Sequence, residues 1–306
     1  MKLIDVNMIG PSLHNRSYTL VEKIGSGESG TVYKAFRRPD GQKIPEHYQN
    51  QPLALKLYHA PDTSLRSRPF LPEITAMMRL HYSDYVVQFL DRSSPHDPLK
   101  YTVMEYVPET ITRHLQWALD NDTTLSEEVV RTYLRDIPKV LAMLWSQKTV
   151  HCDIRDTNVG IKYDRLKLLD FGYARPFLQH FPTALPTARP FYPPELREEG
   201  KVMPTLDTYC AGKLLELMLL GDYASDAEEA LEMMEFVYTV SIPVSFKRLL
   251  TAMTHANPLR RPDPGSLEEL MKKALVDITN AGCFKPQAVA PLHTAKLYPT
   301  SSSFLG

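Results

Sequence analysis

The chain predicts an α+β fold in which a small antiparallel-sheet lobe with one helix precedes a larger helical lobe. Three observations carry that expectation. From position 18 to about 57, β-branched and aromatic residues alternate with polar ones and glycines, the period of a strand. Beyond 107 the apolar residues recur mostly at helical spacing. With 43% hydrophobic and 23% charged residues among 306, the composition is globular and the chain is long enough for a sizeable core. Strands first and helices afterwards keeps the two kinds of element in separate lobes.

Residues 1–17 read as a short leader. The strand pattern opens at Tyr18 and is interrupted over 37–52, RRPDGQKIPEHYQNQP, whose turn formers and sparse apolar content predict a surface loop. A short helix is expected from about Glu73 to Leu80, with Ile74, Met77, Met78 and Leu80 on its apolar side. Pro72 is tolerated only in a first turn, which sets the start close to Glu73. The run YTVMEYV, 101–107, reads as a buried strand. Thr124-Leu-Ser-Glu127 fits a capping box. The helix it opens carries Val130, Tyr133, Leu134, Ile137, Leu141 and Leu144, and Pro138 is expected to kink or break it. Further helices are expected near 207–220, 225–238 and 246–255, and a last one from the box Ser266-Leu-Glu-Glu269 to about Ile278. The tail from Ala281, with three prolines and three consecutive serines, is expected to be poorly ordered.

Several function classes are excluded. A net charge of -1 lacks the basic excess of a nucleic-acid binder. The most apolar stretch, LLELMLLG at 214–221, is too short for a membrane span and contains Glu216, so it reads as a buried helix. Three scattered cysteines (Cys152, Cys210, Cys283) suit a reducing compartment and no disulfide framework. The amino terminus has no long apolar core, so no secretory signal is expected, and a cytoplasmic protein is.

The chemistry-bearing residues fall into three groups. Gly25-Ser-Gly27-Glu-Ser-Gly30 lets a backbone approach phosphate oxygens with no Cβ in the way. A dinucleotide-binding turn shares this spacing but requires a helix at the third glycine. Here Thr31-Val32-Tyr33-Lys34 continues as a strand. In Leu53-Ala54-Leu55-Lys56 an ammonium sits among apolar residues. It either points from an edge strand to water or pairs with Glu73 on the following helix. Finally, His151-Cys-Asp153-Ile-Arg-Asp-Thr-Asn158 is followed twelve residues later by Asp170-Phe-Gly172. Asn158 and Asp170 are hard oxygen donors of the kind magnesium takes, which leaves Asp153 for a hydroxyl proton. Each fragment alone is a common turn sequence, and the ordered set is not.

In this order the elements resemble the protein kinase family over roughly 18–278. The resemblance implies the two-lobed protein kinase fold, with a domain over 18–280. Its small lobe would cover about 18–103, its hinge 104–108 and its large lobe 109–280. ATP and magnesium ion (Mg2+) are the implied cofactors and a protein the implied substrate, with serine or threonine expected from the family's base rate. It implies that Lys56 holds the phosphates, Glu73 positions Lys56, and Asp153 is the catalytic base. Asn158 and Asp170 would bind the metal, and Gly25, Gly27 and Gly30 would fold over the triphosphate. Val32 and Ala54 would cover the adenine, and Ile24 would belong to the same nucleotide site. Met104 resembles the gatekeeper, and Glu105 to Val107 resembles the hinge. Tyr192-Pro-Pro-Glu195, Asp207 and Arg261 match the family's framework around the catalytic loop.

Four departures accompany the resemblance. Cys152 replaces the arginine that usually receives an activating phosphate, so activity independent of phosphorylation at Thr183 or Thr187 is expected. Gly160 stands where the family has a larger residue under the adenine, which suggests a looser grip on ATP. Arg155 stands two places after Asp153, where serine/threonine kinases have lysine, and Ala188 sits where a threonine is usual. The 37–52 loop is longer than its hairpin needs. Two alternatives stay open: a small-molecule kinase of the aminoglycoside or choline type, and a pseudokinase scaffold.

Overall fold

The computed structural model describes residues 17–27, 29–41, 43–59, 70–94, 96, 99–180, 191–224, 227–238 and 242–281. Thr183, Thr187, Ala188, Cys283 and the leader and tail expectations lie outside them. The described chain divides into two units, one running through Tyr82 and resuming over Val86–Val107, the other made of Ser83–Tyr85 and the residues from Pro108 on.

The first unit is an antiparallel sheet of order β1-β2-β3-β5-β4, with β1 Tyr18–Gly27, β2 Gly30–Arg37, β3 Leu53–Tyr58, β4 Phe89–Arg92 and β5 Tyr101–Glu105. A strand's side chains alternate faces, and here the two faces do different work. Tyr18, Leu20, Ala35, Leu53, Leu55, Tyr101 and Val103 form a buried core on one face. The register places Val32 opposite Lys56, Lys56 opposite Thr102, and Ala54 opposite both Lys34 and Met104 on the other. The helix α1, Phe70–Leu80, follows β3.

Four expectations change in this unit. The 37–52 loop is not wholly a surface feature: Ile44 is buried, joining the core beside Tyr48 in a 3-10 turn. Arg37 ties the loop down by donating to the Gly41 carbonyl at 2.6 Å. The first turn of α1 begins three residues early and holds Pro72, where a missing N–H costs nothing. Ile74, Met77 and Leu80 are buried, whereas Met78 is 50% exposed because it lies off their three-residue row. β5 stops at Glu105, so Tyr106 and Val107 are not strand.

The second unit is mainly helical. Its described elements are β6 Glu109–Thr110, α2 Ile111–Asp120, α3 Glu127–Ser146, β7 Thr149–Val150, β8 Val159–Lys162, β9 Arg165–Leu168 and β10 Arg175–Pro176, then α4 Pro194–Glu199, α5 Leu206–Leu220, α6 Ala227–Tyr238, α7 Val244–Met253 and α8 Pro264–Asn280. β6, β8 and β9 form one small antiparallel sheet, and β7 pairs with β10. All residues of α5 are buried, as expected of a helix apolar on every side. Its two interior charges, Lys213 and Glu216, bond to each other, and Lys213 also donates to the Ala224 carbonyl at 2.6 Å. A buried charge requires such partners.

α5 lies within one residue of the sequence expectation, whereas the starts of α3, α6, α7 and α8 differ from it by two to three residues. Ser126, not Thr124, caps α3 by accepting the Val129 amide. Pro138 does not break α3, which remains one helix while Leu134, Ile137 and Leu141 pack into the core around it. α7 starts just after Pro243. Asp263, not Ser266, caps α8, accepting the amides of Gly265 and Ser266 at 2.9 and 3.1 Å. Among the described residues no helix is long and apolar enough to cross a membrane.

Candidate active site

In the first unit the β1–β2 hairpin pairs Gly27 with Gly30, and register shifts at Leu20/Glu22 and Lys23/Gly25 bend β1. The glycines are not equivalent. A Cβ on Gly30 would lie 2.3 Å from the Leu57 carbonyl oxygen, so the approach of β3 requires a glycine there. Among the described residues, a Cβ on Gly25 or Gly27 would meet nothing within 4 Å. The packing of the described residues gives no reason for glycine at those two positions.

Lys56 is buried and its Nζ lies 2.7 Å from Glu73 Oε1. The sequence left open a lysine pointing to water, and the structure resolves this as an ion pair inside the unit. Tyr58, two residues on and therefore on the same face, supports it from below. Its ring lies 5.3 Å from the Lys56 ammonium, its hydroxyl bonds Thr102 at 3.0 Å, and it meets Phe70 of α1 edge-on at 5.0 Å. Strand parity alone could have singled out Tyr58. Ala54 and Met104 are buried, and Ile24 and Val32 are partly so. Glu105 is fixed to Gln88 twice, its amide donating to the Gln88 carbonyl at 2.9 Å and its carboxylate accepting the Gln88 amide at 3.0 Å. Val107 is buried.

In the second unit the 151–158 loop is held from within and from beneath. The Asn158 side-chain amide donates to the Asp153 carbonyl at 2.9 Å and to its carboxylate at 2.7 Å. The Asp207 carboxylate accepts the amides of His151 and Cys152 at 2.6 and 2.9 Å. Burial nonetheless pushes the Asp207 carboxyl above its usual range, outweighing those two bonds and the field of His151. His151 accepts the Asp153 amide on Nδ1 and so carries its proton on Nε2, which donates to the Leu169 carbonyl at 2.9 Å. The Leu169 amide in turn bonds the Asn158 carbonyl at 2.8 Å. That bond sets Asp170 next to the loop. Asp170 has a left-handed backbone (φ 53°), and its carboxylate accepts the Gly172 amide at 3.1 Å. Thr112 of α2 donates to the Asp156 carboxylate at 2.6 Å.

Framework and departures are equally explicit. Arg261 makes a two-pronged bond to Glu195 at 2.6 and 2.8 Å, donates to the His255 carbonyl at 2.7 Å, and lies over the Tyr209 ring. Cys152 is fully buried, and burial pushes its thiol well above the usual range. A redox role for it is disfavoured on that ground. Gly160 is buried in β8 opposite Lys167 and Thr110. Arg155 lies 3.9 Å from Asp153. Burial lowers its pKa, but the carboxylates of Asp153 and Asp156 outweigh that and raise it overall.

The family model for the protein kinase domain matches residues 18–276. Mitogen-activated protein kinase KSS1 of Saccharomyces cerevisiae is 29% identical over 163 residues, which cover 52% of this chain and 42% of that protein. Serine/threonine-protein kinase CLA4 of Candida albicans is 26% identical over 230 residues, 74% of this chain and 22% of that protein. Cell division control protein 2 homolog C of Antirrhinum majus is 27% identical over 169 residues, 52% of this chain and 53% of that protein. The chain thus spans about half or less of these relatives' lengths.

Proposed function

From the premise that this chain belongs to the protein kinase family, we propose that it transfers the γ-phosphate of ATP to a protein hydroxyl, serine or threonine as the name of the CLA4 kinase it is similar to states. The observation that carries the reading is the loop in which Asn158 grips the Asp153 carboxylate while its own backbone is bonded to the residue before Asp170.

Asp153 receives the acceptor's proton, oriented by Asn158. Lys56 binds phosphate oxygens, and Glu73 keeps its ammonium from turning to water. Gly25 and Gly27 leave open the space that the triphosphate takes, while Gly30 keeps the hairpin against β3. Ile24, Val32, Ala54 and Met104 contact the base, and Glu105 and Val107 offer backbone groups to its edge. Magnesium fits the donor set. The Asn158 amide nitrogen is engaged with Asp153, and its Oδ1, which accepts the Thr157 hydroxyl at 3.3 Å, keeps a second lone pair for a hard cation; the Asp170 carboxylate is the other hard donor. When bound, the metal neutralises phosphate charge. The free, buried thiols of Cys152 and Cys210 suit a cytoplasmic location. With Cys152 in place of arginine, phosphatase-treated protein keeps its activity.

The test is purified protein with labelled ATP, magnesium and a mixed-protein substrate, run against a panel of sugars and amino alcohols, with phosphoamino-acid analysis. Asp153→Asn should lower kcat by about 10²–10⁴-fold. Label on the small alcohols alone, or turnover indifferent to Asp153→Asn, would overturn the proposal.

A further inference from the structure

Arg155 lies inside the same loop as Asp153, two residues on. Its Nε is buried and, among the described residues, has no hydrogen-bond partner, with the Asp153 carboxylate at 3.9 Å lying beyond hydrogen-bond reach. Besides the charge of Asp153, a ring places the guanidinium: its central carbon is 5.8 Å from the centroid of Phe191, inside the roughly 6 Å range of a cation–π contact. Phe191 is buried and braced. Tyr192 meets it edge-on at 4.8 Å, Tyr223 lies at 6.1 Å, and its carbonyl accepts the Cys210 thiol at 3.3 Å. A planar guanidinium on an aromatic face keeps its in-plane N–H donors available.

We propose that Phe191 is a positioning residue for phosphoryl transfer: its ring fixes the Arg155 guanidinium beside Asp153 and keeps the Nε–H in reserve for an oxygen that the substrate brings. A carboxylate or hydroxyl support in place of the ring would consume a donor; the ring consumes none. The inference rests on the reading of Asp153 as the base of a kinase.

The experiment is a double-mutant cycle on the full chain with ATP, magnesium and a protein substrate, joined to proton–nitrogen spectra of the arginine Nε–H groups. Phe191→Leu should lower kcat on the order of tenfold with the KM for ATP unchanged, as expected for a lost desolvated cation–π contact. Phe191→Tyr should keep the wild-type rate. In an Arg155→Ala background Phe191→Leu should cost nothing further, which a purely structural role would not produce. The Arg155 Nε–H resonance, identified by its loss in Arg155→Lys, should be ring-shifted in the wild type and return to the bulk arginine position in Phe191→Leu. Additive losses, or an unshifted resonance in active wild-type protein, overturn the inference alone. A wild type that transfers no phosphate overturns the kinase reading and this role with it, whatever the spectra show.

Discussion

The Asp207 carboxylate accepts the amide of Cys152 at 2.9 Å, across 55 positions of sequence, and holds it in a left-handed conformation with φ of 65°. A non-glycine residue persists there only when its surroundings over-determine it. Asp207→Asn replaces one acceptor oxygen by a donor facing an N–H. It should cost about 1.5–3 kcal/mol, the range for one hydrogen bond to a charged group, and lower kcat more than the KM for ATP. Urea denaturation and steady-state kinetics check both.

The Lys56–Glu73 pair allows stability and function to be separated. Removing one partner of a buried pair leaves an uncompensated charge, so Glu73→Gln should destabilise by about 3–5 kcal/mol. The double variant Lys56→Met/Glu73→Leu should recover much of that stability and none of the activity. Recovered transfer in the double variant would show that the pair serves only the fold.

The three glycines should respond oppositely. Gly30→Ala drives a methyl against the Leu57 carbonyl and should cost about 1–3 kcal/mol. Gly25→Ala and Gly27→Ala meet nothing among the described residues, so their melting temperatures should stay put while the KM for ATP rises. Thermal melts beside ATP titrations decide it.

Asp136 supplies a pH test. Burial raises its pKa, but Arg135, the Leu166 amide at 3.2 Å and Lys139 together hold it below the ordinary 3.8. A depressed carboxyl contributes stability above its unfolded pKa and loses it as pH falls through the folded value. The melting-temperature deficit of Asp136→Asn should therefore be full near neutrality and shrink below pH 3.8. A deficit unchanged across that range would assign the loss to packing.

The chain's own spacing determined a good deal. Alternation in Leu53–Tyr58 puts Ala54, Lys56 and Tyr58 on one face and Leu53 and Leu55 on the other, because side chains of a strand repeat every two residues. The helical period of α3 marked its core residues for the same local reason. The order of glycine loop, lysine, aspartate and asparagine pointed to the family before any fold was drawn. Only tertiary structure could decide that Ile44 is buried inside a polar loop, that Gly30 and not Gly25 is demanded by backbone, that Asp207 bends the chain at Cys152, and that a ring carries Arg155. Each of these depends on what distant segments bring alongside, and no pattern of neighbours in sequence records that.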